Sequence, residues 1–125
     1  MHAYLTKARQ CLASASINLD SGLSNDAGRN AYLAVFHASQ AYIFSRTGKT
    51  AKTHQGVQSE MHRLARDEPR LDKDLLSFLS HAYNLKAVAD YETGPDSDIP
   101  ADRSLKAIQT AANFIDCISK ILNDS

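Results

Sequence analysis

The segment from about Asp26 to Thr47 constrains the fold most, because apolar residues nearly encircle it. Tyr32, Leu33, Val35, Phe36, Tyr42, Ile43 and Phe44, with alanines between them, leave no broad polar face at the 3.6-residue helical period. A helix that is apolar on most sides must be surrounded by other helices, so this segment predicts the axis of a bundle. Its polar residues Asn30, His37 and Gln40 are then candidates for burial, and Gly48 stands where a helix C-cap is expected.

Proline and glycine are few and divide the remainder cleanly. A first helix over about His2 to Asp20 sets Leu5, Ala8, Leu12, Ala15 and Leu19 on a narrow seam, and Ser21 to Asn25 breaks it. Thr53 can cap a third helix, His54 to about Asp67, with Val57, Met61 and Leu64 inward. Pro69 separates this from a fourth, about Asp72 to Tyr91, striped by Leu75, Phe78, Leu79, Ala82, Leu85 and Ala89. After a loop over Glu92 to Pro100, Asp98 is a candidate cap for a fifth helix. That helix reaches about Leu122 through Leu105, Ile108, Ala112, Ile115 and Ile118. No segment alternates as a strand does. The expected fold is an all-α, up-and-down bundle of about five helices, with residues 1–125 forming one domain.

Size and charge agree with that. The 125 residues, 43% of them hydrophobic, suffice for one core and not for two. Lys plus Arg equals Asp plus Glu at 14 each, so no overall field holds a long nucleic acid, although a local basic patch is compatible with the balance. Cys11 and Cys117 sit on apolar helical stretches, where cysteine is mostly a small buried hydrophobe; a disulfide between the terminal helices is the alternative. No apolar run has the length of a membrane span, and MHAYLTKARQ lacks the apolar segment of a signal peptide. A cytoplasmic protein without a membrane partner is expected.

Three polar constellations stand out. Asn30, His37 and Ala41 share one strip of the second helix, with Arg29, Tyr32 and Phe36 on the next. Tyr83, Lys86 and Asp90 share a face of the fourth, and Lys86 and Asp90 are spaced for an intrahelical ion pair. Lys52, Thr53 and His54 offer a cation, a capping hydroxyl and an imidazole at a helix start, an arrangement suited to anions. Each has a plainer reading as a satisfied core histidine, a solvated stripe or an ordinary cap. Metal is not indicated. The histidines lack zinc spacing, and Asp96 and Asp98 resemble a calcium loop that Pro100 interrupts. No cofactor motif is present.

Together, the segments AYLAVFHASQA, KTHQG and YNLKAVADYE resemble the signature blocks of the HEPN superfamily, in particular the small stand-alone UPF0332 proteins. The family forms R-A-Y-Y-A-x-F-H-A-A, K-T-H-x-G and Y-x-L-R-x-x-A-D-Y correspond to Arg29 or Asn30 through Ala38, Lys52 through Gly56 and Tyr83 through Tyr91. The resemblance implies a helical, dimeric protein of a toxin–antitoxin or nucleotidyltransferase-associated module, with a minimal nucleotidyltransferase as partner and a nucleotide or RNA in a helical cleft. It further implies ligand contacts from Arg29, Asn30, Tyr32, Lys52, Thr53, Tyr83, Lys86, Asp90 and Tyr91, with His37 or His54 as the proton-transfer group.

Two departures bear on activity. Lys86 replaces the family arginine, and lysine cannot fork onto a phosphate. Active HEPN ribonucleases use Arg-x4-6-His, whereas Arg29 with His37 and Arg46 with His54 are spaced more widely. Three readings follow: a binding module without efficient cleavage, a metal-independent endoribonuclease toxin with a rearranged His/Lys site, and a structural helical adaptor.

Overall fold

Among the described residues the chain forms five helices: α1 (His2–Asp20), α2 (Ser24–Thr47), α3 (His54–Ala65), α4 (Lys73–Tyr91) and α5 (Ala101–Asn123). The computed structural model describes residues 2–91 and 98–124, without the side chains of His2 and Tyr91. No strand occurs among the described residues.

α2 is the axis that its sequence predicts, with α1, α3, α4 and α5 all packed on it. Alanines 27, 31, 34, 38 and 41 are fully covered, as are Ala8 and Ala15 of α1. Small side chains at these levels let the two backbones lie close, and α1 and α2 share the most extensive interface in the molecule. The larger anchors Tyr32, Tyr42, Met61, Leu79 and Phe114 fill the remaining space, each burial stabilising by about 1.5–3 kcal/mol. Arg9 near the start of α1 reaches Ser119 near the end of α5, at 3.2 Å.

Turn chemistry sets the connections. Gly22 takes φ of +79° between α1 and α2. Gly48, at φ +75°, ends α2 by donating its N–H to Phe44 at 2.8 Å. Thr53 caps α3, its hydroxyl accepting from the Gly56 N–H at 2.9 Å. Gly28 has a different reason: a Cβ there would stand 2.7 Å from the Ile99 side chain, which seats on α2.

Several expectations are corrected. α2 begins at Ser24, two residues before Asp26, and α3 ends at Ala65, two before Asp67. Asp98 does not cap α5. Pro100 holds that position, because Asn25 takes Asp98 by its amide (3.0 Å) and binds the Ile99 N–H (2.8 Å). Leu105, read as inward, is 47% exposed, and Phe44 is 40% exposed beside Tyr4. Cys11 and Cys117 are free thiols, so the alternative of a disulfide between them is not realised.

Candidate functional site

α2, α3 and α4 meet where residues from each of the three sequence constellations converge. Thr53 starts α3 so that its first residue, His54, faces α2 and α4. The stretch before it is clamped from α2. The Gln40 side chain donates to the Ala51 carbonyl at 2.8 Å and accepts from the Ala51 N–H at 3.1 Å. This pair of hydrogen bonds explains a buried glutamine and brings Lys52, Thr53 and His54 back along the axis.

His54 sits among aromatic rings. Its centroid lies 5.1 Å from Phe36, 5.4 Å from Tyr32 and 5.2 Å from Tyr83, and the two tyrosines are 5.5 Å apart. The Tyr32 hydroxyl is hydrogen-bonded to His54 Nδ1. Burial, and secondarily Tyr83, push the Tyr32 phenol well above its usual range, so it keeps its proton. Burial first, and then the charge of Lys86, hold the His54 imidazole below its usual value, so it is neutral near pH 7. Were the phenol to accept from Nδ1, its own hydrogen would be buried without an acceptor; donation leaves neither group unsatisfied. Nδ1 is therefore the acceptor, and the imidazole proton resides on Nε2.

Lys86 is fixed beside this histidine by a shared carboxylate. Asp90 receives the Lys86 ammonium at 2.7 Å through one oxygen and Arg29 Nε at 2.7 Å through the other. Arg29 also pairs with Asp26 and reaches the Ala89 carbonyl at 3.4 Å. Lys86 and then Arg29 hold the Asp90 carboxyl below its usual range. With 20% of the Lys86 side chain and 34% of that of Arg29 accessible, the network ties α2 to α4 and keeps two cations at the surface. The junction thus groups an imidazole and phenol rings beside two cations that two carboxylates pair.

Not every predicted residue arrives there. Arg29, Tyr32, His54, Tyr83, Lys86 and Asp90 come together. Asn30 turns to α1 instead, donating to Asn18 at 2.8 Å. His37 lies on the same strip, and the charge of Lys7 on α1, after burial, holds it below the ordinary value. It packs edge-on against Phe36, 5.4 Å between centroids, and so touches the same ring as His54 without a ring contact to that imidazole itself. Thr53 is engaged as a cap, and Lys52 is exposed, lining a hollow between the end of α2 and α3. The Tyr91 side chain lies outside the described residues. Phe36, absent from the predicted set, packs on both His54 and Tyr32. Its i, i+4 relation to Tyr32 was the available signal.

Among the described residues no three metal-ligating side chains gather, and no helix is long and apolar enough to cross a membrane. A family model described as HEPN domain matches residues 1–122. The chain is similar to a UPF0332 protein of Archaeoglobus fulgidus, 29% identical over 119 residues that cover 95% of this chain and 92% of that protein. A UPF0332 protein of Thermotoga maritima is 25% identical over 118 residues, covering 94% and 87% respectively.

Proposed function

The chain belongs to the HEPN domain family, and from that premise we propose that it binds nucleotide or RNA at the α2–α3–α4 junction without cleaving it efficiently. In this reading it works as a homodimer beside a minimal nucleotidyltransferase, in a toxin–antitoxin or related module. The observation that carries the preference for binding is the hydrogen bond from Tyr32 to His54 Nδ1. A ribonuclease that dispenses with metal needs a base to take the 2′-hydroxyl proton. The neutral His54 has its one basic nitrogen occupied by a phenol, and its other nitrogen carries an N–H. That group hydrogen-bonds a phosphate oxygen well and abstracts a proton poorly. Lys86 supplies a point charge beside it, and Tyr83 and Phe36 supply ring surface for a base.

The wide Arg29–His37 and Arg46–His54 spacings support the same preference.

The test is calorimetric titration with ribonucleoside monophosphates, alongside incubation with a labelled RNA. Binding is expected, with RNA left intact, and His54→Ala or Lys86→Ala should each weaken binding about tenfold, since a hydrogen bond to a charged group contributes roughly 1.5–3 kcal/mol. RNA cleavage abolished by the same substitutions would replace this reading with that of an endoribonuclease. Absence of binding would leave the adaptor.

A further inference from the structure

α4 and α5 both lean on α2, yet they make the slightest contact of any two helices that meet. Their splay leaves a groove of about 220 Å³. Phe78 and Leu85 of α4 and Ala107 of α5 form its floor, and His81, Arg103 and Lys106 stand at its rim. The floor is anchored in the core. Leu85 and Ala107 are buried, and a Cβ on Gly28 of α2 would lie 3.9 Å from that of Leu85. The rim is exposed, and the side chains of its two cations and its imidazole have no hydrogen-bond or ion-pair partner among the described residues. None of the lining residues is a carboxylate. Phe78, His81 and Leu85 recur at three- and four-residue steps, on a face of α4 other than that of Tyr83, Lys86 and Asp90. The groove is thus separate from the α2–α3–α4 junction and from any ligand held there.

Size and shape decide what fits there. The volume falls short of the roughly 300–1,000 Å³ of small-molecule pockets. The walls, residues 78–85 and 103–110, each advance about 10 Å at roughly 1.5 Å per residue, which is two turns of a helix. Two helical ridges with an apolar floor between them accept the side chains of a third helix. The helices of this chain keep their apolar stripes in the core, so that third helix comes from another protein. We infer that the α4–α5 groove docks an amphipathic helix of a partner protein. Two turns of its apolar side chains lie on Phe78, Leu85 and Ala107, and carboxylates beside that stripe meet Arg103 and Lys106. Unpaired cations around an apolar floor favour an acidic partner over a basic one, because complementary charge steers encounter and fixes register. Two turns cover little area, so the complex is a transient one.

The experiment uses the full chain and two fluorescein-labelled helical peptides of four turns. Both carry leucines at i, i+3 and i+7; glutamates flank that stripe in one and lysines in the other. By fluorescence anisotropy the glutamate peptide should bind about tenfold more tightly than the lysine peptide, and added salt should narrow the difference. The double variant Arg103→Glu, Lys106→Glu should invert the order of the two peptides. Both positions are exposed, so the fold is expected to persist, with the melting temperature as its check. Independently of any variant, amide shifts of the parent on addition of the glutamate peptide should centre on residues 78–85 and 103–110. Failure of the glutamate peptide to bind, equal binding of the two peptides, an order that survives the double charge reversal, or shifts centred elsewhere would each overturn the docking site. Self-association in sedimentation that the double variant abolishes would overturn the foreign partner and assign the groove to a second copy of the chain.

Discussion

Tyr32 and His54 illustrate how two side chains 22 positions apart set each other's proton. The phenol is buried and stays protonated, so it donates; the imidazole is held neutral, so it accepts at Nδ1 and carries its hydrogen at Nε2. The linkage has a definite sign. A histidine lowered from its ordinary 6.5 contributes its full stability above that value. As pH falls from about 6.5 toward the lowered folded value, the unfolded chain binds the proton first and stability declines. His37 acts in the same direction, through burial and Lys7. An NMR titration of the wild-type protein should place the His54 midpoint below 6.5, and Lys86→Met should raise it by removing the neighbouring charge. A midpoint above 6.5, or one unmoved by the substitution, would contradict the assigned environment. The residues of this pair could be suspected from sequence. The bond between them could not, because nothing in the spacing of Tyr32 and His54 says that the chain doubles back between them.

The elements work through their junctions. Gln40 is the side chain that holds the α2–α3 connection to the axis, by two bonds to one backbone residue. Replacing it by alanine strands the Ala51 N–H and carbonyl, and should lower unfolding free energy by about 1–3 kcal/mol in urea denaturation. Nucleotide affinity should fall with it, since His54 is only three residues farther on. A variant as stable as the parent would show that the clamp is dispensable. Gln40 was recognisable as a polar residue on an apolar helix; its partner, a loop backbone, was not. The α5 cap failed for a related reason. Asp98 has the right type and place for a cap, but Asn25 of another helix competes for its carboxylate and for the next N–H. Local propensity names what a residue can do, and tertiary neighbours choose among the options.

At the scale of the whole molecule, helical periodicity and scarce breakers were enough for the five-helix bundle and its axis, because burial on every side of α2 admits few other arrangements. The blocks around Phe36, His54 and Lys86 made the family recognisable as well. The site was only half legible. Tyr83, Lys86 and Asp90 share a face by their spacing alone, and they do meet Tyr32 and His54. On a helix apolar almost all round, however, periodicity cannot say which neighbour each strip will face. Asn30 consequently reads as an equal of Arg29 and Tyr32, although it turns to Asn18 of α1.

The role proposed for His54 is to meet a ligand phosphate as an N–H donor and not as a base. Its most direct measurement is a long-range ¹⁵N–¹H spectrum of the imidazoles at pH 7, recorded during titration with a ribonucleoside monophosphate. We predict a proton on Nε2 and none on Nδ1, with the Nε2–H resonance moving downfield as the calorimetric isotherm saturates. A proton on Nδ1, or an Nε2 resonance that nucleotide leaves unmoved, would contradict it.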